Sequence, residues 1–444
     1  MNRKFLLIGA AACAATFALA SCSSGGGTEP PAETTSEAAE TTAEEPPASE
    51  DAGGTATQVE VFTWWATGGE QLGLNALVDV FKQQHPEVEF INGAVAGGAG
   101  SQAKDLLQTR MQTGQPPDTF QAHAGKELQD YIDAGQVEDI SALYDEWGLK
   151  DAFSPSLLEM LTNDGKIYSV PANIHRSNML WANPQVLKEA GLDPADVNYE
   201  SIDDFITALD AVKAAGKIGL AVGTTWTQTH LLENVLLAEL GPDAYVGLWD
   251  GSTDWAGADV TSALEKYQKL ISYTNTDRDG IDDSEVAQLV IDGNAAFYIM
   301  GDWNIAVYDA QGILDPEHLV YAPSPGTKGV FNFLADSFTL PVGAPHPDGA
   351  KAWLETVGSV EGQTAFNTFK GSIPARTDAD PSVFPEYQQK TMADLASDRV
   401  VPSLMHGAAA PTAQLNAIQS AVSKFTTGAS DLAGFQSELV AAMS

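Results

Sequence analysis

The chain has 444 residues, 60 acidic against 22 basic, for a formal charge of −38, and 44% of its residues are hydrophobic. So acidic a chain repels nucleic acid and anionic lipid, which excludes both as partners of its folded part. Cysteine occurs only as Cys13 and Cys22; a disulfide framework is therefore also excluded, and a hydrophobic core large enough for two domains must hold the fold.

Arg3 and Lys4 precede an apolar run from Phe5 to Leu19 that ends in Leu19-Ala20-Ser21-Cys22. A basic start, an apolar stretch too short to span a bilayer and small residues at its end read as a secretory signal over residues 1–21. A Cys directly after the small residues resembles the bacterial lipobox. That resemblance implies cleavage before Cys22 and a lipid on its sulfur, and the alternative is an ordinary signal peptide with an incidental Cys. A lipoprotein anchor has at least two acyl chains, which tether stably without spanning. Loss of Arg3 and Lys4 would leave 20 basic residues and a charge of −40. From Ser23 to Gln58 the composition is Ser/Gly, then Thr, Pro, Ala and Glu, with no Lys or Arg. Residues 22–58 thus read as the anchor and a disordered acidic linker, able to reach on the order of 110 Å when extended at roughly 3.1 Å per residue.

Short strands and amphipathic helices alternate from Val59 onward, the α/β pattern. Val59–Thr63 is a strand that runs into Trp64-Trp65 and then Thr67-Gly68-Gly69-Glu70. Adjacent residues of an extended chain point to opposite sides. Either both indoles are core, or one is a flat apolar platform beside a carboxylate, as a sugar ring requires. Leu77, Val80 and Phe81 share one helical face. Gly93 to Gly100 is glycine-rich but lacks the Lys and hydroxyl pair of a phosphate loop, and reads as a tight turn before the helix of Leu106 and Leu107. The strand Asp118-Thr119-Phe120 runs into Gln121 and His123. Ser201-Ile202-Asp203-Asp204 opens a helix with Phe205, Leu209 and Val212 inward. Ile218–Val222 runs into Trp226, and Ala295–Met300 into Gly301-Asp302-Trp303-Asn304. Between them, Asn275-Thr276-Asp277-Arg278-Asp279-Gly280 starts like a calcium loop, but Val286 stands where a bidentate Glu belongs, which leaves a solvated acidic loop as the better reading. Leu415, Ile418, Val422 and Phe425 mark a further helix closed by Gly428.

Ligands of open α/β sheets bind beyond the carboxyl ends of the strands. Four strand ends here carry aromatic, amide, imidazole or carboxylate groups, which points to a polar, aromatic-walled pocket. The sequence lacks G-x-S-x-G, H-E-x-x-H and G-x-x-x-x-G-K-[ST], and no two His are spaced as a metal pair, so neither a cofactor nor a metal is expected.

Several stretches resemble the extracellular solute-binding proteins of bacterial ABC sugar importers, family 1, and within it the glucose/mannose-binding branch. They are Val61 to Glu70, Asn92 to Gly98, Gly114 to Gln121, Pro171 to Asn178, Met300-Gly301-Asp302-Trp303, Asp336-Ser337-Phe338 and Ser403 to Gly407. The resemblance implies a two-lobed α/β fold of the type II periplasmic-binding-protein kind, with discontinuous lobes that close about a hinge. By analogy one lobe is 59–173 with 332–376 and the other is 174–331 with 377–444. The family pattern places Trp64, Trp65, Glu70, Gln121 and His123 on one side of a sugar, Trp226, Asp302 and Asn304 on the other, Asp336 near a crossover and His406 from the C-terminal part. Carboxylates would accept hydroxyl hydrogens, amide and imidazole groups would donate, and indole faces would exclude water. The family also uses a lysine, for which Lys328 is a candidate. Asn173, His175 and Arg176 match a family motif and serve either the hinge or the sugar. Trp249, Trp255, Trp303 and Trp353 are assigned to the core.

The implied function is that of a lipid-anchored monomer on the extracellular face of the bacterial cell membrane. It would bind a monosaccharide, glucose or a close epimer, and deliver it to membrane permease subunits without breaking a bond. A secreted glycoside hydrolase is the alternative, with Glu70 and Asp302 as a carboxylate pair roughly 5 to 9.5 Å apart. A glycan-binding surface adhesin fits the anchor and linker but not a deep cleft.

Overall fold

The computed structural model describes residues 57–96, 100–196 and 199–443. The expected signal peptide, the Cys22 anchor and all but the last two residues of the linker lie outside the described residues. The first strand starts at Thr57, ahead of the expected Val59, because Thr57 and Gln58 already pair with Val88 and Glu89.

Two main sheets organise the chain. The first has five strands in the order Val88–Ala94, Thr57–Thr63, Thr119–His123, Asp336–Thr339 and Ser169–Pro171. Its first three strands run parallel, and Asp336–Thr339 is antiparallel to both neighbours. Val59, Val61 and Phe62 are all buried, as expected for a strand covered on both faces. Helices Gly68–Gln84 and Pro347–Gly358 cover one face together, with Phe81 and Trp353 at 5.5 Å between ring centroids, and Arg110 of helix Ser101–Gln112 lies over the Phe62 ring, 5.6 Å from its centroid. The second sheet has four strands in the order Val320–Pro323, Met179–Ala182, Ala295–Ile299 and Ile218–Ala221. Phe205, Leu209 and Val212 pack beneath it from helix Ile202–Ala214, whose Ser201 accepts from Asp204 N–H at 3.1 Å.

A three-stranded sheet lies at the crossing of the lobes: Arg399–Pro402, Val330–Leu334 and His175–Arg176. Only Ala335 separates its strand Val330–Leu334 from Asp336–Thr339 of the first sheet. The chain therefore changes sheets within one residue, beside a second crossover at Ala172 to Ile174. Ile174 exchanges backbone hydrogen bonds with Ile373, at 2.7 and 3.0 Å. Among the described residues no helix is long and apolar enough to cross a membrane.

Candidate sugar-binding cavity

Residues of both sheets converge on a cavity of about 270 Å³. Trp64, Glu70, His123, Asp336 and Lys370 line it from the first sheet's side. Trp226, Asp282, Asp283, Trp303 and His406 line it from the other, and His175 enters from the crossover.

Trp64 is fixed from behind. Its backbone N–H donates to Gln121 Oε1 at 3.2 Å, and Gln121 also accepts from Thr63 Oγ1. Gly100 lies flat against the indole: a Cβ there would meet Trp64 Cδ2 at 2.9 Å, and its φ of +89° also favours glycine. Lys104 Nζ sits 5.1 Å from the ring centroid. Trp65 turns the other way and is fully buried, with Phe366 at 4.4 Å and Phe338 at 5.4 Å. The pleat thus sends one indole to the cavity and the other to the core.

Glu70, in the first turn of helix Gly68–Gln84, accepts from Lys370 Nζ at 2.9 Å. Burial disfavours the charge on Lys370, but Glu70 and Asp336 outweigh it and raise the ammonium's pKa. Asp336 accepts from Gln121 Nε2 and Asn173 Nδ2, both at 2.9 Å. Burial would raise its carboxyl, yet His123, Lys370, His175 and the Asn173 hydrogen bond bring it below the usual range. Trp226 donates from Nε1 to Asp282 Oδ1 at 2.7 Å, and Asp282 caps helix Asp283–Ile291 in a capping box with Glu285. Asp283 accepts from Tyr298 Oη at 2.7 Å and Asn304 Nδ2 at 3.0 Å, and desolvation pushes its carboxyl up. Burial, with His123, His230 and Lys104 nearby, holds His406 well below the usual imidazole range, so it is neutral at physiological pH. Trp303 lies 4.8 Å from the His406 ring.

Of the residues expected at the site, Trp64, Glu70, His123, Trp226, Asp336 and His406 line the cavity. Trp65, Gln121, Asp302 and Asn304 stand behind its wall. Gln121 bonds Trp64 and Asp336. Asp302 is fully buried and accepts from His175 Nδ1 and, at 3.0 Å, from Arg176 N–H. Asn304 spends its Nδ2 on Asp283. Lys328 is exposed and away from the site, and the lysine that lines it is Lys370. Lys370 ends a helix just before Gly371 and reads in sequence as an ordinary C-terminal lysine. Trp303, expected in the core, lines the cavity, whereas Trp353 and Trp255 are core. His175 reaches the cavity, while Arg176 is committed to Asp394 at 2.8 Å and Asp398 at 3.2 Å.

Among the described residues, two places have the residue types for a cation. His230, Glu233 and His406 bring ligand atoms within 4.8 Å of one another. The Glu233 carboxylate, however, accepts from Leu404 N–H, Met405 N–H, Ser403 Oγ, Tyr245 Oη and Asn332 Nδ2. Its lone pairs are committed to holding the turn that carries His406. In the Asn275–Gly280 stretch, Asn275 Oδ1 accepts from Val222 N–H, Asp277 from Asn275 Nδ2 and Asp279 from Gln228 Nε2. These oxygens serve the fold.

Residues 65–364 match the model of the family described as bacterial extracellular solute-binding protein. The chain belongs to that family. This solute-binding protein is 34% identical over 390 residues to an uncharacterized ABC transporter extracellular-binding protein of Pyrococcus horikoshii, a match covering 87% of both chains. It is 30% identical over 395 residues to a xylose/arabinose-binding protein of Haloferax volcanii, covering 87% of this chain and 85% of that one. Among solved structures, the bacterial solute receptor AcbH, which prefers β-D-galactopyranose, superposes with a TM-score of 0.76 at 16% identity, over 87% of this chain and 98% of that one. The fold is the type II periplasmic-binding fold that the resemblance implies.

Proposed function

We propose that this protein is the substrate-binding lipoprotein of an ABC sugar importer, that it takes up a monosaccharide, glucose or a close epimer, and that it hands it to membrane permease subunits. The observation that carries this is the cavity itself, where the face of Trp64, the Glu70–Lys370 pair and Asp336 oppose Trp226, Trp303 and His406. Indole faces exclude water over the C–H surface of a pyranose, while ionised and amide groups supply strong hydrogen bonds to its rim. At about 270 Å³, the space lies below the roughly 300–1,000 Å³ usual for drug-sized ligands, which favours one sugar ring over an oligosaccharide.

The lobes are taken as 59–173 with 332–376, and 174–331 with 377–444, closing as a monomer on the extracellular face of the membrane, with Cys22 as the lipid anchor. Sugar populates the closed form by touching both lobes, and the permease recognises that form. No bond is broken. Glu70 is paired with Lys370 and Asp302 is sealed behind the wall, so the two do not flank a glycosidic bond.

Titration calorimetry with glucose, galactose, mannose and xylose tests the assignment. Heat of binding from a hexose, with weaker heat from xylose, is the expected result. Heat from a peptide or oligosaccharide and none from any monosaccharide would overturn it. Release of product from an aryl glycoside would overturn the non-enzymatic part.

A further inference from the structure

Glu127 is outside the cavity lining, yet it organises one wall of the cavity. Its backbone N–H donates to Gly407 O at 2.8 Å, which joins the turn after strand Thr119–His123 to the segment of His406. Its carboxylate oxygen Oε2 lies 2.7 Å from His123 Nδ1 and 2.9 Å from Lys104 Nζ. Burial alone would raise this carboxyl, but the Lys104 ammonium and the hydrogen bonds donated by His123 and Lys104 outweigh it and bring it to about 2. Glu127 is therefore an anion at neutral pH, and a carboxylate only accepts hydrogen bonds. His123 Nδ1 must carry the hydrogen. Lys104 Nζ, 3.4 Å from Nδ1, then has no lone pair to bond there. Its charge instead offsets that of Glu127 and lies over the Trp64 ring, 5.1 Å from the centroid. The other ionisable groups facing His123 are Asp336, with Oδ1 3.7 Å from Nε2, and His406, with its ring at 5.6 Å.

We propose that Glu127 is a positioning residue for sugar recognition: by accepting from His123 Nδ1–H it presents Nε2 to the cavity as an acceptor for a sugar hydroxyl. The proposal rests on the sugar-binding reading of this cavity. It follows the rule that the partner of one imidazole nitrogen decides what the other can do. Glu127→Gln keeps the size of the side chain and can put an amide N–H in front of Nδ1. The ring would then move its hydrogen to Nε2, and the cavity would meet the sugar with a donor where an acceptor is needed.

The test is nitrogen NMR of the imidazoles together with titration calorimetry against the four monosaccharides, on the mature chain and on Glu127→Gln. The native protein is expected to carry a hydrogen on His123 Nδ1 and none on Nε2, and a ring found with hydrogens on both nitrogens overturns the proposal. In the variant the hydrogen is expected on Nε2, with affinity for the preferred sugar down roughly tenfold or more, the usual effect of a mismatched buried polar pair. A role in packing alone would not move the hydrogen. A native His123 with a bare Nδ1 overturns the proposal, and this measurement decides alone if the variant does not fold. Unchanged tautomer and affinity in a folded variant overturn it as well. A native protein that binds no sugar sinks the sugar reading, while the NMR result still decides where the hydrogen sits.

Discussion

Trp64 and Trp65 are sequence neighbours in opposite environments, and their substitutions should fail in opposite ways. Trp64→Ala removes a cavity wall and is expected to lower sugar affinity by at least tenfold in calorimetry, with a smaller loss of stability than Trp65→Ala because the ring borders the cavity. Trp65→Ala removes a fully buried ring packed between Phe338 and Phe366, which is expected to cost about 3–5 kcal/mol in chemical denaturation. Equal effects on affinity and stability in the two variants would contradict this division. The sequence marks the strand end and the adjacent pair, but not which indole faces which side. That choice depends on helix Val360–Lys370, some three hundred residues away, which covers Trp65 and delivers Lys370 to Glu70. The same distance hides Lys370, because nothing local distinguishes it from Lys328. Asp302 misleads for a related reason. Its strand-end position suits a ligand contact, but His175 and the Arg176 N–H, arriving from the crossover, occupy both of its oxygens.

At the level of elements, the helices follow from local patterns and the cavity follows from how their ends meet. Helix Asp283–Ile291 is stabilised by the same Asp282 that orients Trp226. Asp282→Ala should therefore cost about 0.5–2 kcal/mol for the lost cap and also weaken sugar binding, since the indole loses its anchor. A stability loss with unchanged affinity would separate the two roles. Gly69 marks where the helix of Ala306 seats against the opposite lobe: a Cβ on Gly69 would lie 2.7 Å from Ala306 Cβ. Gly69→Ala is expected to hold the lobes apart. Affinity should fall while the unfolding free energy stays within about 0.5 kcal/mol of native, and small-angle scattering with sugar should report a larger radius of gyration than for the native complex. An unchanged radius would show that closure tolerates the methyl. Single-sequence patterning exposes the individual helices, such as the one with Phe205, Leu209 and Val212 inward, but not this seat, where the critical property is the absence of a side chain.

For the whole molecule, acid is the informative stress. Burial lowers His230 from 6.5 to about 3, and His406 is lowered well below 6.5 as well. An unfolded chain takes up these protons below about pH 6.5, whereas the folded one refuses them. Their contribution to stability is thus complete above about pH 6.5 and is lost as the pH falls toward 3. Glu127 adds a loss between 4.5 and about 2. Glu233 and Asp283, whose carboxyls are raised, act in the opposite direction, since the folded form holds their protons more tightly. The melting temperature of the native protein should fall between pH 7 and pH 5, and His230→Asn should flatten that slope. An identical slope in the variant would remove His230 as its cause. The two-lobed α/β class is legible in the alternation of strands and helices and in the family motifs. The crossing at Ala335 is not, because one alanine between two buried strands reads as a single longer strand until its two sheets are seen apart.

Trp64, Trp226 and Trp303, set around one small cavity from both lobes, also make the protein its own optical probe. A ligand that fills the space displaces water from these indoles together, while Trp65, Trp181 and Trp353, already sealed in the interior, keep a constant background. Intrinsic emission should therefore shift to shorter wavelength as sugar is added, and iodide should quench it less, so that occupancy and closure can be followed without any label.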